Sequence, residues 1–247
     1  MKKNIIAIVM LLLATMGAMA QETTESPVGR FSVIPRIGVG ITNWSNCSMA
    51  YSDEQTEKSK YQAGFLGGVD FEYRTTNEVG VSLGVHYARQ GFKFPSHQTT
   101  TKGNDGTVLE GYNDIHVNLD YVQVPLLVKG YVTRNLALML GVQAGFLCGD
   151  GKSKADYTKA TIEKDENITT SESETLKTTW PTKKVDVSIP IGVSYEYMGV
   201  ILDARYNLGL TNASDISRVK DADGQPYIKE NCKNKGFSLS VGYRFTL

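Results

Sequence analysis

The sequence has few of the residues that build metal centres and disulfide scaffolds, with three cysteines and three histidines among 247 residues. The histidines, His86, His97 and His116, are not spaced like the ligands of a metal site, so we expect no metal or other cofactor. Net charge is also lacking, because 26 basic residues balance 26 acidic ones. That balance gives no basis for nucleic-acid binding.

Long hydrophobic runs are missing too, except at the amino terminus. Lys2 and Lys3 precede an apolar segment (residues 5–13) and a small-x-small site at Ala18-Met19-Ala20, which is the pattern of a cleaved secretory signal peptide. An uncleaved anchor is the alternative, although the apolar segment is short for a membrane-spanning helix. We predict a signal peptide at 1–20, a short periplasmic segment at 21–30 and a single domain at 31–247.

The sequence does contain eight segments in which apolar and polar residues alternate. In the last one, Phe237, Leu239, Val241, Tyr243 and Phe245 share one parity, and small or polar residues separate them. Such a period of two is typical of a β-strand with two different faces. The segments cover residues 33–42, 61–75, 79–91, 115–133, 136–148, 185–198, 200–211 and 236–247.

The connections between these segments alternate between short and long. The short ones are residues 76–78, 134–135 and 198–199, and the long ones are 43–60, 92–114, 149–184 and 212–235. Short periplasmic turns and long extracellular loops are typical of bacterial outer-membrane barrels. We therefore predict an all-β fold, an eight-stranded antiparallel up-and-down transmembrane β-barrel, integral in the outer membrane. A soluble β-sandwich or lipocalin-like barrel is the alternative, but its outward parity should be polar.

The charged residues within the segments fall on the polar parity, which a membrane barrel encloses. They are Arg36, Asp70, Glu72, Arg74, Lys129, Asp186, Glu196, Asp203, Arg205 and Arg244. Eight strands leave just enough interior for side chains, and a buried charge is costly without an opposite charge. We predict that these residues form an ion-pair network that plugs the lumen. A narrow channel or transporter lined by the same charges remains the alternative.

The three cysteines, Cys47, Cys148 and Cys232, all lie in or beside predicted extracellular connections. The first and last of these connections are neighbours in a closed barrel, so a Cys47–Cys232 disulfide is feasible in an oxidising compartment. The sequence does not fix the pairing. The connection 149–184 is rich in Lys, Glu, Asp, Thr and Ser, and we expect it to bury little and to be mobile or to serve as a solvated extension. Trp44, in the first connection, is the best candidate for a buried anchor or contact residue.

Catalytic residues are hard to find in this sequence. His116 lies near the predicted outer rim, but no Ser or carboxylate on a neighbouring segment completes a nucleophilic arrangement. We therefore predict that the protein is not an enzyme. A lipid- or peptide-modifying enzyme is the least favoured alternative.

Three segments resemble a known family. Tyr121-Val122-Gln123-Val124-Pro125-Leu126-Leu127-Val128-Lys129 resembles the Y-x-x-I-P-L-L-x-K strand of PorT-like outer-membrane β-barrels from Bacteroidota. Residues 205–212 and 236–245 are similar to that family's last two strands. The resemblance implies insertion by the barrel-assembly machinery, and its named member is associated with type IX secretion.

The predicted function is a role in envelope integrity, surface interaction or secretion, without catalysis. As partners we expect outer-membrane lipid and lipopolysaccharide, and a secretion-system or extracellular protein. We expect a monomer.

Overall fold

The computed structural model describes residues 28–51, 55–103, 106–163, 168–215 and 232–247. The predicted signal peptide and most of the predicted periplasmic segment lie outside these residues. Within them, no helix is long and apolar enough to cross a membrane. The strands are β1 (Phe31–Ser45), β2 (Ser48–Ala50), β3 (Thr56–Lys58), β4 (Lys60–Arg74), β5 (Val79–Lys93), β6 (His97–Gly103), β7 (Gly106–Tyr131), β8 (Leu136–Leu147), β9 (Gly151–Glu163), β10 (Ile168–Trp180), β11 (Val185–Tyr197), β12 (Val200–Gly209), β13 (Lys233–Tyr243) and β14 (Phe245–Thr246).

Eight of these strands form a closed antiparallel barrel. Neighbours follow the order β1, β4, β5, β7, β8, β11, β12 and β13. The barrel closes where β13 pairs with β1, for example Arg36 with Gly242 and Gly38 with Ser240. The predicted fold class is therefore confirmed, and each predicted segment corresponds to one barrel strand.

The outward face of the barrel is apolar. Leu83, Leu140, Val193 and Leu239 are 42–56% exposed, whereas their strand neighbours on the other parity point inward and are mostly buried. Such exposure of large apolar side chains over a whole barrel is the arrangement that lipid covers. The hairpin from β11 to β12 turns at Met198 and Gly199, both with positive φ (50° and 78°), as a two-residue turn between twisted strands requires.

The long connections contain strands that the alternating pattern did not predict. Residues 149–184, which we expected to be mobile or to serve as a solvated extension, mostly form the hairpin of β9 and β10, and much of that hairpin is exposed. β7 has 26 residues and begins at Gly106, well before the predicted start at residue 115. Its first half pairs with β6 on one side and β9 on the other. We call the four-stranded assembly of β6, the first half of β7, β9 and β10 the extracellular sheet.

The alternating pattern missed the extracellular sheet for a physical reason. Water reaches much of both faces of its outer strands, so burial imposes no period of two on them. Nine consecutive residues of β10, 171–179, are exposed. Threonine is frequent in β9 and β10, and its branched β-carbon favours the extended backbone. The first half of β7 extends beyond the barrel and pairs with β9, and β9 in turn pairs with β10.

An apolar cluster lies over the extracellular mouth of the barrel. We call it the apolar cap. It consists of Trp44, Cys47, Tyr51, Phe92, Phe94, Ile115, Val117, Leu119, Tyr121, Leu147, Ala213 and Cys232. Trp44 is 1% exposed, and its ring centroid lies 4.8 Å from that of Phe92. Trp44 is thus the buried anchor that we predicted, although it lies in β1 rather than in a loop.

Candidate functional site

Side chains fill much of the lumen, and a cluster of five residues occupies the middle of the barrel. The Asp70 carboxylate contacts Arg36 at 2.5 Å, Arg205 at 3.2 Å and His86 Nε2 at 2.7 Å. Asp203 contacts Arg205 at 2.7 Å and also pairs with Arg36. Two carboxylates and two guanidinium groups therefore neutralise each other. We call this the central cluster.

Glycine makes room for the central cluster. A β-carbon at Gly84 would collide with Asp70 Oδ1, and one at Gly38 would collide with the backbone and side chain of Ser240. Ser240 in turn accepts a hydrogen bond from Arg36 at 3.1 Å. Small residues on the inward parity thus let long charged side chains cross the narrow interior.

A second cluster closes the periplasmic end. Glu72 accepts hydrogen bonds from Lys129 at 2.7 Å and from the Tyr131 hydroxyl at 2.5 Å. Arg244 bridges Glu72 at 3.0 Å and Glu196 at 2.9 Å. Lys129 and Glu72 are 0% and 1% exposed, so their charges are taken wholly out of water. We call this group the periplasmic cluster.

The structure brings together eight of the ten predicted lumen charges and leaves two apart. Arg74 stacks on the Tyr131 ring, with its Cζ 3.1 Å from the centroid, and makes no ion pair with a described residue. Asp186 is buried but accepts its hydrogen bonds from Thr211 at 2.8 Å and Asn234 at 3.3 Å. The charge pattern missed His86 and Tyr131. Their inward parity, shared with the charged residues, was the available signal.

Between the central cluster and the apolar cap lies a chamber whose wall is mostly uncharged and polar, with Arg36, Arg205 and Asp186 at its margins. Its two cavities measure about 30 Å³ and 10 Å³. Arg205 Nε and Asn207 Oδ1 have no protein hydrogen-bond partner, and both residues line the larger cavity. About 10–15 Å³ holds one water molecule, so the chamber has the size and polarity for a few waters. Amide and hydroxyl side chains dominate its wall: Thr42, Gln90, Gln123, Gln143, Ser188, Asn207 and Asn234.

The apolar cap contains the two cysteines of the predicted disulfide. Cys47 and Cys232 are buried, whereas Cys148 is exposed. The hydrogen bond with Cys232, together with burial, raises the pKa of the Cys47 thiol. The same hydrogen bond lowers the pKa of Cys232. The two side chains are thus in contact, and the disulfide between them stays a prediction.

The extracellular sheet ends in an edge strand. Among the strands that the structure describes, β10 pairs with β9 alone, and β6 forms the opposite edge. Both faces of β10 are exposed, including Leu176 at 38%. An unpaired edge presents a row of backbone donors and acceptors to any extended chain. At the foot of the sheet, His116 Nδ1 lies 2.9 Å from the backbone oxygen of Asp114 and 3.6 Å from its carboxylate.

Metal-binding groups are not found in the part of the chain that the structure describes, where no three His, Cys, Asp or Glu residues are grouped to hold an ion. The described side chains of the lumen hold paired charges and leave room for a few waters. Its residues are locked by opposite charges and hydrogen bonds, and the apolar cap separates them from the outside.

The chain is similar to one family model and to several solved structures. A family model described as "Outer membrane protein beta-barrel domain" matches residues 19–215. The fold is similar to the crystal structure of Ail, the attachment invasion locus protein of Yersinia pestis (16% identity, TM-score 0.41, 88% of this chain and 99% of that one). It is also similar to Neisserial surface protein A (14%, TM-score 0.39, 87% and 97%), and to the N-terminal β-barrel domain of Pseudomonas aeruginosa OprF (15%, TM-score 0.29, 87% and 97%). The comparison with curated proteins gives no match.

Proposed function

Because this chain belongs to the family of the outer membrane protein beta-barrel domain, we propose that it is a closed, non-enzymatic barrel that presents an extracellular sheet to a protein partner outside the cell. The observation that carries the proposal is the filled lumen. Two neutral ion-pair clusters lie in series below the apolar cap, so the active surface has to be outside the barrel.

Conduction would require both clusters to open. Asp70 and Asp203 each contact two arginines, and Glu72 contacts Lys129 and Arg244. Separating a buried pair leaves uncompensated charges at a cost of about 3–5 kcal/mol. Because ions would have to pass both clusters, this cost opposes a steady pore at the central cluster and again at the periplasmic cluster.

The partner surface that we propose is the outer edge of β10. Its 13 residues extend beyond the membrane, and within the described ranges they pair with β9 on one side and with no strand on the other. A partner strand added there would gain main-chain hydrogen bonds, with alternate side chains setting specificity. Glu172, Glu174 and Leu176 lie on one face and Ser173, Thr175 and Lys177 on the other.

A PorT-like role in type IX secretion is the second candidate function. The resemblance of residues 121–129 to the PorT-like strand favours it. Its test is the export of type IX cargo by the host bacterium after deletion of the gene. Normal export would remove this candidate and leave the extracellular partner.

Planar-bilayer recording of the refolded mature protein tests the closed lumen. Heat-modifiable gel mobility first establishes that the barrel is folded. We expect no steady conductance. Reproducible discrete openings in the folded wild type would contradict the proposal and favour the channel.

Site-specific photo-crosslinking on intact cells tests the partner edge. A photoreactive residue at Thr175 lies on the edge strand, whereas one at Thr158 lies on β9 between two paired neighbours. We expect discrete protein adducts at Thr175 and none at Thr158. Equal adducts at both positions, or none at either, would argue against β10 as the docking edge.

A further inference from the structure

One transverse row of the β-structure is basic across five adjacent strands. Lys60 of β4 pairs with Lys93 of β5, and Lys93 pairs with His116 of β7. His116 pairs with Lys154 of β9, and Lys154 with Lys177 of β10. Strands are about 4.8 Å apart, so these residues, the basic row, extend for about 19 Å around the outside of the protein.

The basic row faces away from the lumen. On β7, His116 lies between the buried residues Ile115 and Val117, and on β5 Lys93 follows the buried Phe92. Lys60, Lys93 and Lys177 are exposed. Since side chains alternate between the two faces of a strand, the basic groups share the side on which the barrel carries its apolar band.

Like charges directly opposite each other on neighbouring strands destabilise a sheet. The basic row contains two such lysine pairs, Lys60 with Lys93 and Lys154 with Lys177. Lys154 is compensated by Asp114 at 3.3 Å and Asp156 at 3.4 Å. Lys60, Lys93 and Lys177 make no ion pair with any residue that the structure describes, so three positive charges remain for an external anion.

The height of the basic row above the membrane narrows the choice of anion. On β5, Lys93 lies six positions beyond Tyr87, the last exposed apolar side chain of that strand. Six positions along a strand tilted by about 40° rise roughly 15 Å. Lys60 pairs directly with Lys93, so both lysines lie above a phospholipid headgroup layer, which is only about 6 Å deep.

We propose that the basic row binds the phosphate groups of an outer-leaflet glycolipid, whose sugars carry the phosphates above the acyl chains. Lys60 and Lys93 contact the phosphate nearer the membrane, and Lys177 contacts the second phosphate of the glycolipid. Lys152, two residues closer to the membrane on β9 than Lys154, adds a further positive charge. The bound lipid neutralises the like-charged pairs and holds the extracellular sheet upright at the membrane surface.

The test compares two double variants of the full mature protein, refolded in phosphatidylcholine nanodiscs that contain a minor fraction of diphosphorylated lipid A. K93Q/K177Q removes two charges of the basic row. K102Q/K159Q removes two charges elsewhere on the extracellular sheet and is the matched control. Native mass spectrometry measures the lipid A retained per barrel, and heat-modifiable mobility establishes that each variant is folded.

We expect K93Q/K177Q to retain lipid A about 25-fold more weakly, a factor of about five for each lysine near an anionic surface, and K102Q/K159Q to retain it like the wild type. Dephosphorylated lipid A and phosphatidylglycerol should both be retained poorly by the wild type. Inorganic phosphate should not compete. Equal retention by the two double variants, equal retention of either comparison lipid, or competition by inorganic phosphate would overturn the proposal.

Discussion

The barrel and the extracellular sheet are built from the same antiparallel pairing and even share strand β7, yet different forces hold them. In the barrel, lipid covers one face and fixed charges fill the other, so each residue's parity decides its role. In the extracellular sheet, water lies on much of both faces of the outer strands, and the register depends on β7 and on the apolar cap beneath. Different forces therefore hold the two halves of β7, and substitutions in the barrel and in the extracellular sheet should differ in their effect on stability.

The largest difference should follow removal of a carboxylate from the central cluster. Asp70→Ala leaves Arg36 and Arg205 in the lumen without this carboxylate partner, and we expect the free energy of unfolding to fall by about 3–5 kcal/mol. Urea unfolding in lipid vesicles, followed by gel mobility, measures the change. If Asp70→Ala does not refold, Asp70→Asn keeps the shape and removes only the charge.

Asp120→Ala is the matched control for the central cluster. Asp120 also contacts an arginine, Arg89, at 2.8 Å, but the Arg89 side chain is 50% exposed at the outer rim. An exposed pair contributes about 1 kcal/mol or less. Equal losses for the two carboxylates would mean that the lumen is hydrated enough to screen its charges.

A charge on the lipid-facing parity should have the next largest effect. Leu140→Arg or Val193→Arg places a guanidinium in the apolar band, and we expect a cost of about 2–4 kcal/mol near the bilayer midplane. Thr175→Arg, on exposed β10, should change the stability little. Insertion yield and urea midpoints measure both, and equal tolerance at the two positions would contradict the orientation of the barrel.

The barrel was readable from the sequence because each of its two faces has one neighbour, lipid or lumen. Parity alone placed Arg36, Asp203 and Arg205 inside, and charge balance then predicted their pairing. The same reasoning could not exclude Asp186 from the ion pairs, since hydrogen bonds from Thr211 and Asn234 depend on where two distant segments meet. It also missed His86, because a lone histidine on a strand carries no charge signal.

The extracellular sheet and the apolar cap could not be read from periodicity. Phe92, Val117 and Leu119 continue the inward parity of their strands, but nothing in the spacing shows that the interior changes there from polar to apolar. The cap forms because the ends of β1 and β5 meet the middle of β7 over the barrel mouth, together with residues from the connections. Which distant segments meet is decided by the tertiary structure and not by the spacing of residues along the sequence.

The reactivity of the cysteine thiols should distinguish the buried residues of the apolar cap from the exposed surface. A membrane-impermeant maleimide should modify the exposed Cys148 on intact cells and leave the buried Cys47 and Cys232 unmodified. Because the pKa of Cys47 is raised by its contact with Cys232 and by burial, Cys47 should stay unreactive as the pH rises through the range in which an unperturbed thiol ionises.

Intact-mass measurement of the same protein distinguishes the two states of the cysteine pair. The reduced pair has the full mass, and the predicted Cys47–Cys232 disulfide lowers it by two hydrogens and blocks alkylation even after unfolding. Labelling of Cys47 or Cys232 in the folded, reduced protein would show that the apolar cap opens to solvent.

The smallest effect should come from a single hydrogen bond of the extracellular sheet. The Tyr157 hydroxyl donates to Glu110 at 2.7 Å, and this bond raises the pKa of the Tyr157 phenol to about 12. Since the folded-state pKa is raised, the contribution of the bond is present at neutral pH and is lost as the pH rises towards that value.

Glu110→Gln removes the negative charge and should return the pKa of Tyr157 towards the ordinary value of about 10. The ultraviolet titration difference between each protein and its Tyr157→Phe counterpart isolates this one phenol. If Tyr157 titrates near its ordinary value in the wild type, β7 and β9 separate at this height, and the extracellular sheet is held only at its base by the apolar cap.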